Sequence, residues 1–274
     1  MVAGMKRLLA ASIALIGLGS NAFAADPAPA AAPPPPASNP APAPLPAKAA
    51  ATAAPAYSWT GCYVGLSGGD NRGDSEHIAQ SGAGTGLTIT GNLKMADSGI
   101  AGGSVGCDYQ IEKTVMGFEN SASWTGLRGS TNDVPPFDLA ATSSTRQNWI
   151  DTLTGRIGYA MDRFLIYGTA GAAFAGTTVT VSDPSGSVSE SQPRAGLAVG
   201  VGGEWAAWVA SWGDVRFRLE YMHADFGTRQ YFSSPTALGP LTVATRDVKL
   251  TDDIVRAGVN VRFNWGGTPI VTKY

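Results

Sequence analysis

The segment Val255-Arg256-Ala257-Gly258-Val259-Asn260-Val261-Arg262-Phe263 alternates between apolar residues and residues that are polar or small. Because the side chains of a β-strand point alternately to opposite faces, this period of two predicts a strand with one apolar and one polar face. A soluble β-sandwich would bury the apolar face. A barrel in the outer membrane would turn that face to lipid and line its interior with the polar one. The rest of the chain decides between these two architectures.

The N-terminus predicts export. Lys6 and Arg7 precede an apolar run from Leu8 to Leu18, and Ala22-Phe23-Ala24 is a small-x-small cleavage site, so residues 1–24 are predicted to be a signal peptide. The apolar run is too short to span a bilayer, and no later stretch supplies about 20 uninterrupted apolar residues. If the mature protein enters a membrane, we therefore expect it to do so through strands.

Residues 25–56 are predicted to form a disordered linker rich in Pro and Ala. From residue 27 onward Lys48 is the only charge, and no aromatic residue occurs before Tyr57. Such a segment cannot bury enough apolar surface to offset its ordering entropy, and its prolines favour extended polyproline II. An inert spacer is favoured over a ligand for peptidoglycan or for another protein, and peptidoglycan stays open as a partner.

Composition narrows the class of protein further. Charged residues make up 15% of the chain, with 19 Lys and Arg against 21 Asp and Glu. Loss of Lys6 and Arg7 with the signal peptide leaves 17 against 21, a formal charge of −4, which disfavours a nucleic-acid partner. The mean hydropathy of +0.01 is low for a helical membrane protein and suits a barrel whose alternate residues are polar.

Period-two alternation bounded by turn residues predicts eight strands within residues 57–263. At about nine to eleven residues, each is long enough to cross a bilayer when tilted. The predicted strands are Gly61 to Gly69, Gly99 to Tyr109, Thr114 to Trp124, Trp149 to Ala160, Arg163 to Phe174, Ala195 to Trp205, Asp214 to Phe226 and Ile254 to Phe263.

The connections between these strands alternate in length. The short ones lie at 110–113, 161–162 and 206–213, and the long polar ones at 70–98, 125–148, 175–194 and 227–253. This asymmetry is typical of bacterial barrels with both termini in the periplasm. We therefore predict an all-β fold, an eight-stranded antiparallel transmembrane β-barrel at 57–263, in the outer membrane of a Gram-negative cell.

The alternation also assigns side chains to faces. A charge at the lipid midplane costs about 2 to 4 kcal/mol, whereas charges of opposite sign can pair in the interior. The predicted interior charges are Glu119, Arg156, Glu204, Arg216, Arg218, Glu220, Arg256 and Arg262. The aromatic residues predicted to form interfacial girdles are Trp124, Trp149, Tyr159, Trp205, Tyr221 and Phe263.

Several segments give the chain a resemblance to a known family, the small alphaproteobacterial outer-membrane proteins with an OmpA-like barrel, described as porin-family or outer-membrane immunogenic proteins. The segments that carry it are Tyr57 to Gly65, Leu153 to Ala160, Arg163 to Gly168, Leu219-Glu220-Tyr221 and Asp253 to Phe263. The resemblance implies a structural, surface-exposed envelope protein without enzymatic activity or cofactor. Outer-membrane lipid and lipopolysaccharide are the implied surroundings.

The last of these segments also resembles the signal that the barrel assembly machinery reads, with the pattern polar-x-Gly-x-x-apolar-x-aromatic. Arg256, Gly258, Val261 and Phe263 stand in the matching places. A tail at 264–274 follows, whereas many barrels end at this aromatic residue. The resemblance therefore implies the assembly machinery as a partner during insertion.

Cys62 and Cys107 share the outward face of two strands that should be neighbours. Pairing them places Val64 opposite Val105, which is a consistent antiparallel register. The periplasm permits disulfides, and closing a loop of this size contributes roughly 4 kcal/mol in the chain-entropy model. We therefore predict a cross-strand disulfide, with two separate thiols as the alternative.

Catalytic chemistry has few candidate residues here. His77 and His223 are the only histidines, and Asp225 is the acid nearest to His223 in sequence. An acyltransferase or protease site would need a histidine that converges with acidic or Ser partners at the rim. His223 and Asp225 share the lipid-facing parity, which turns them away from any interior site. We predict no enzymatic activity, no cofactor and no metal, since Cys or His at ligand spacing is lacking.

Three functions remain in order of preference. The first is a structural, surface-exposed barrel that contributes to envelope integrity, because an eight-stranded lumen is only wide enough for side chains. The second is a small porin-like channel for ions or polar solutes. The third is an adhesin or ligand-capture protein that acts through its outer loops, for which Phe137, Tyr231 and Phe232 are the suggestive side chains.

Overall fold

A computed structural model describes residues 57–81, 84–233, 236–238 and 241–263. The predicted signal peptide, the predicted linker and the tail at 264–274 lie outside these residues. No helix within the described residues is both long and apolar enough to cross a bilayer. The described chain is built from antiparallel strands.

Eight antiparallel strands close into a ring, as predicted. They are β1 (Gly61–Ala79), β3 (Ser98–Ile111), β4 (Thr114–Thr125), β6 (Thr142–Met161), β7 (Phe164–Asp183), β8 (Gly186–Ala210), β9 (Gly213–Tyr231) and β12 (Arg246–Phe263). Each pairs with the next, and β12 pairs back onto β1 from Tyr63 opposite Arg262 to Ala79 opposite Arg246. This closure leaves no free edge in the ring, as a strand protein within lipid requires.

Four short strands lie in the long connections. β2 (Thr88–Lys94) pairs with β1, and β5 (Arg128–Asn132) pairs with β6. β10 (Thr236–Leu238) and β11 (Leu241–Val243) pair only with each other. We call the end of the barrel with the two-residue turns the turn end, and the opposite end the loop end.

The predicted strand boundaries were too short at the loop end. β8 has 25 residues and begins at Gly186 rather than Ala195, and β7 runs to Asp183 rather than Phe174. The connection predicted at 175–194 is therefore a paired hairpin with Pro184-Ser185 at its tip. The reason is physical, since hydrophobic alternation fades where the outward residues become Ser and Thr while the ladder of hydrogen bonds continues. At the turn end the connection predicted at 206–213 shrinks to two residues.

A belt of exposed apolar side chains surrounds the ring, and we call it the lipid face. Residues in it include Val64, Leu66, Val105, Phe118, Leu153, Ile157, Ile166, Leu197, Val199, Phe217, Leu219, Val255 and Val259. All six predicted girdle aromatics are exposed along its two edges. In β1 the spanning segment is about 62–70, and in β12 it is about 255–263. The outer surface of the barrel is thus more apolar than its interior, which is the reverse of a soluble protein.

The lipid face generates a prediction about an exposed leucine. Leu66 is 75% exposed at the middle of the belt, where Leu66→Arg would place a charge in hydrocarbon. We expect a loss of about 2 to 4 kcal/mol in the free energy of unfolding. Urea unfolding in lipid vesicles, followed by gel mobility without heating, measures it.

Leu139 provides the matched control, since it is 61% exposed in the connection between β5 and β6. Leu139→Arg should change the free energy of unfolding by less than about 0.5 kcal/mol, as is usual for surface sites. Equal effects of the two substitutions would contradict the assignment of the belt to lipid.

Candidate functional site in the barrel lumen

The structure brings all eight sequence-predicted interior charges together inside the barrel. Each is at most 8% exposed: Glu119, Arg156, Glu204, Arg216, Arg218, Glu220, Arg256 and Arg262. They come from five strands, which are β4, β6, β8, β9 and β12. The alternation of the strands therefore places them on one surface, the wall of the lumen.

Sequence reasoning missed two acids of this network. Asp108 on β3 and Asp214 on β9 are buried in the lumen beside the predicted charges. Parity could have found them, since Asp108 follows the outward Cys107 and Asp214 precedes Val215 of the apolar face. With them, the network contains five guanidinium groups and five carboxylates. The predicted set had an excess of two positive charges, and the observed set is balanced.

The first of two clusters lies toward the turn end and is centred on Arg156. Its guanidinium donates to Asp108 through Nε at 2.7 Å and through Nη2, and its Nη1 donates to Glu204 at 2.6 Å. Asn260 adds a hydrogen bond from Nδ2 to Glu204 Oε1 at 3.2 Å. Arg156 thereby ties β3, β6 and β8 together across the lumen.

Arg216 and Arg262 complete this cluster around Asp214. Arg216 Nε donates to Asp214 Oδ1 at 2.8 Å, and Arg216 Nη1 lies 3.4 Å from Asp108 Oδ2. Arg262 pairs with Asp214 and donates through Nη1 to the carbonyls of Ser58 and Thr60. Charges that would be costly to bury alone are therefore each satisfied by more than one partner.

The second cluster lies nearer the middle of the barrel. Arg218 Nη1 donates to both carboxylate oxygens of Glu119 at 2.6 Å. Arg256 donates to Glu220 Oε1 through Nε at 2.8 Å and to Ser121 Oγ at 2.7 Å. Charge-assisted bonds of this kind are about twice as strong as neutral ones.

Two tyrosines cross the lumen to reach these carboxylates. Tyr63 donates to Glu119 at 2.6 Å, and Tyr167 donates to Glu220 at 2.8 Å. Each lies over a glycine opposite it in the register: a Cβ on Gly106 would be 2.4 Å from the Tyr63 hydroxyl, and one on Gly202 would be 2.6 Å from that of Tyr167. The missing side chains make room for the rings, and Arg156 stacks 5.0 Å from both ring centroids.

The residues just before β1 close the turn end. Trp59 is fully buried, its ring lies 4.6 Å from the Arg216 guanidinium, and its Nε1 donates to the Asp162 carbonyl at 3.0 Å. Its backbone N–H donates to Gln110 Oε1 at 2.7 Å. Around it packs an apolar cluster of Val115, Ala160, Leu165 and Tyr167, with Tyr57 at its edge.

Apolar side chains close the lumen on the other side of the charges. This layer contains Met95, Ile100, Leu127, Ile150, Ala173, Ala175, Ala198, Met222, Ala224, Phe226, Leu250 and Ile254. Met95 and Leu127 reach it from segments next to β2 and β5 rather than from ring strands, and a Cβ on Gly73 would lie within 3.1 Å of both. A further apolar cluster at the loop end contains Val179, Val181, Tyr231, Phe232, Val243 and Val248.

Polar groups are buried between these two apolar layers. His77 is fully buried on β1 beyond the spanning segment, with Nε2 2.9 Å from Thr145 Oγ1 and 3.2 Å from Ser75 Oγ. Burial, together with the charges of Arg246 and Arg194, lowers the pKa of His77 from 6.5 to about 3. His77 is therefore neutral at physiological pH.

Asp252 is a second buried titratable group in this region. It accepts a hydrogen bond from Gln147 at 2.6 Å, and burial raises its pKa to about 7.

The remaining predicted residues take these positions. Cys62 on β1 and Cys107 on β3 lie opposite each other and are joined by a disulfide. Of the assembly-signal residues, Arg256 faces the lumen and Phe263 is exposed at the turn end, while Gly258 and Val261 lie between them on β12.

The side chains suggested for ligand capture and for catalysis are placed differently from what those functions need. Tyr231 and Phe232 are 0% and 2% exposed, so they are core residues of the loop end rather than a ligand surface. Phe137 is partly exposed. His223 lies on the outward face, where its Nδ1 is 2.9 Å from Asp253 Oδ1.

Sequence comparisons with known proteins agree with this architecture. Residues 43–263 match the model of the outer membrane protein beta-barrel domain family. The chain is 27% identical over 215 residues to the 31 kDa outer-membrane immunogenic protein of Brucella melitensis, covering 76% of this chain and 85% of that one. It is 30% identical over 177 residues to a 22 kDa outer membrane protein of Rhizobium leguminosarum, covering 65% and 69%. Among solved structures, OprG of Pseudomonas aeruginosa aligns with a TM-score of 0.41 and 13% identity, covering 75% and 97%.

The lumen pairs generate a prediction about stranded charge. Arg218→Met leaves Glu119 buried without the guanidinium that donates to both of its oxygens, so we expect a loss of about 3 to 5 kcal/mol in the free energy of unfolding. The double variant E119Q/R218M removes both charges and should lose less than the single variant. Urea unfolding in vesicles measures both.

An exposed ion pair is the matched control. Arg72 Nη2 lies 3.2 Å from Asp97 Oδ2, with both side chains more than half exposed. Arg72→Gln should lower the free energy of unfolding by less than about 1 kcal/mol, as is usual for surface pairs.

The outcome that would contradict the lumen prediction concerns the double variant. If E119Q/R218M were less stable than R218M, the loss in R218M would not come from the unpaired charge of Glu119.

His77 predicts a dependence of stability on pH. Because its pKa is about 3 in the folded state and near 6.5 when unfolded, the unfolded chain binds a proton first as pH falls through this window. The stability contribution of neutral His77 is therefore present above pH 6.5 and is lost below it, by up to about 1.4 kcal/mol per pH unit. His77→Gln should flatten this loss between pH 6.5 and 4.5.

The measurement is the difference between the two proteins in urea midpoint at each pH. Both keep Asp252, which titrates in the opposite sense, so the difference isolates His77. Parallel pH profiles would contradict the assignment of a depressed pKa to this histidine.

Proposed function

Because the chain belongs to the outer membrane protein beta-barrel domain family, we propose that it is a structural, surface-exposed barrel that contributes to envelope integrity without conducting solutes. The observation that carries the proposal is the filled lumen. Trp59 and its apolar cluster, the balanced ion-pair clusters and the apolar layer beyond them occupy successive levels of the barrel. An eight-stranded ring has an interior just wide enough for such side chains.

We propose the usual orientation for this barrel, with the turn end in the periplasm and the loop end outside. The support is the contrast between two-residue turns at one end and long paired hairpins at the other. Tyr57 and Phe263 both lie at the turn end, so both termini would emerge in the periplasm. In this orientation the tips of the hairpins are displayed to the surroundings of the cell.

The filled lumen argues against the channel hypothesis. Conduction would require moving Arg156, Arg216 or Arg218 away from carboxylates that they contact at 2.6 to 3.4 Å, with both partners buried. Separating buried partners costs several kcal/mol per pair. The ligand-capture hypothesis loses Tyr231 and Phe232, which are buried, and retains only Phe137 of its suggestive residues.

We propose that the role is not enzymatic. His77 contacts only hydroxyl groups through Nε2, and its Nδ1 has no hydrogen-bond partner within the described residues. A histidine that acts as a base needs a pKa near the working pH, whereas burial holds that of His77 near 3. His223 pairs with Asp253 on the outward face, away from the lumen.

Assembly and surroundings complete the proposal. We propose that the barrel assembly machinery reads the pattern formed by Arg256, Gly258, Val261 and Phe263 on the closing strand. The lipid face then lies against outer-membrane lipid. A contact of the segment at 25–56 with peptidoglycan stays a prediction.

Planar-bilayer recording of the purified, folded protein tests the absence of conduction. Because the lumen is blocked at several levels, we expect no steady openings in concentrated salt, under conditions in which a trimeric porin gives stable steps. Steady single-channel openings in repeated preparations would overturn the proposal in favour of the channel.

Rescue of a deletion strain tests where the function lies. Loss of the protein should increase leakage of periplasmic enzymes and sensitivity to detergent, and the full chain should restore both. A variant lacking 178–191, with Thr177 joined by a two-residue turn to the facing Gln192, shortens the β7–β8 hairpin and leaves the spanning barrel intact. Rescue by this variant supports the structural role, and failure of a folded variant to rescue would favour capture through the loops.

A further inference from the structure

Two arginines lie directly opposite each other on the outward face at the loop end. Arg128 on β5 and Arg146 on β6 are register partners, and both are exposed. Like charges in this position destabilise a sheet unless something neutralises them. Neither arginine makes an ion pair with any residue that the structure describes. Ala96 forms a β-bridge with Arg128, and the acid next to it in the chain is Asp97. Asp97 Oδ2 already pairs with Arg72 Nη2 at 3.2 Å.

Apolar surface lies on the membrane side of this arginine pair. Trp124 and Trp149 are also register partners and are exposed at the edge of the lipid face. Beside them is a shallow groove of about 360 Å³, lined by Gly99, Ile100, Ala101, Trp124, Thr125 and Gly126. Arg146 is three residues beyond Trp149, a distance on the order of 10 Å along a strand.

Small hydroxyl residues lie on the other side of the arginines, away from the membrane. Successive rungs across β5, β6, β7 and β8 place Ser130 beside Ser144, Thr180 and Ser189, and then Asn132 beside Thr142, Ser182 and Ser187. Thr178 and Ser191 continue the arginine rung. The hydroxyls of Thr178 and Ser191 lie 2.8 Å apart, and those of Thr180 and Ser189 lie 2.7 Å apart. These outward positions contain no acid and no large apolar residue.

The outward face from β3 to β8 at the loop end thus has three chemical zones in a fixed order: apolar, cationic and hydroxyl. We propose that this face binds a phosphorylated glycolipid of the outer leaflet, the lipid A part of lipopolysaccharide. Its acyl chains would lie against Trp124, Trp149 and the groove, a phosphate between Arg128 and Arg146, and its sugars along the hydroxyl rungs. The planar fork of a guanidinium matches a phosphate through two hydrogen bonds.

The hydroxyl rungs favour a glycolipid over a phospholipid. A phospholipid would contact the arginines and the groove but would not extend to the hydroxyl rungs. Asp151, one rung inside Trp149 on the lipid face, forms no ion pair with Arg128 or Arg146 within the described residues, and its Oδ1 accepts a hydrogen bond from Asn120 at 2.6 Å. The proposal rests on the orientation given above, since lipopolysaccharide occupies only the outer leaflet.

Binding of defined lipids to the purified full-length barrel in detergent micelles tests the proposal. Native mass spectrometry compares lipid A carrying its phosphates with dephosphorylated lipid A and with phosphatidylglycerol. Removing each charge-assisted contact should weaken binding about tenfold. We therefore expect R128Q/R146Q to bind phosphorylated lipid A at least about tenfold more weakly than the wild-type protein.

Arg163→Gln is the matched control, because Arg163 is an exposed arginine at the turn end. It should bind lipid A as the wild-type protein does. The variant S144A/T180A should weaken binding of lipid A and leave that of phosphatidylglycerol unchanged. Mobility on gels with and without heating verifies that each variant is folded.

Three results would overturn the proposal. The first is that folded R128Q/R146Q binds phosphorylated lipid A as tightly as the wild-type protein does. The second is that the wild-type protein binds dephosphorylated lipid A as tightly as the phosphorylated form. The third is that it binds phosphatidylglycerol as tightly as lipid A, which would make this a site for any anionic lipid. Orientation is tested separately, because binding in micelles does not depend on it. A peptide tag inserted at Pro184 should be accessible to antibodies on intact cells, and an inaccessible tag would overturn the orientation alone. A failed lipid titration would overturn the lipid A site and leave the proposed role in envelope integrity unaffected.

Discussion

The pairing of arginines with carboxylates inside the barrel is the interaction on which the rest of the structure depends. Each of the five carboxylates of this network has a guanidinium within ion-pair distance, so the charges of the network balance. A shift of any strand by one residue would turn its charges to lipid and its apolar residues inward. Contact with lipid on the outside and ion pairing on the inside therefore require the same strand register. A register shifted by one residue would fail both requirements.

Space in the lumen is set by the same network. The two tyrosine side chains cross a narrow ring where the neighbouring strand carries glycine, as Tyr63 does at Gly106 and Tyr167 at Gly202. The glycine-rich runs of β3 and β8 are therefore part of the packing of the lumen. Trp59 and the apolar layer around Ile254 then complete the closure at either side of the charges.

The sequence predicts the ring and its polarity, because period-two alternation reports directly which face meets lipid. It identified Arg156, Arg218 and Glu204 as interior residues for that reason. The loop-end halves of β7 and β8 could not be found in this way, since their outward residues are Ser and Thr and no apolar contrast remains. Trp59 was also missed as a lumen residue, because it precedes the first strand and no period assigns a face to a single residue. Its role depends on contacts with Gln110 and Asp162, which are distant in sequence.

The way the chain enters the ring at Trp59 has a mechanical consequence. Ser58 and Thr60 accept hydrogen bonds from Arg262, while Trp59 bonds to Gln110 and to the carbonyl of Asp162. A pull on the chain before Tyr57 would load these bonds before it reached the ladder of β1. The barrel thus has an anchor point shared by β3, β12 and the turn between β6 and β7, so tension on this segment would be distributed over several strands instead of peeling away β1 alone.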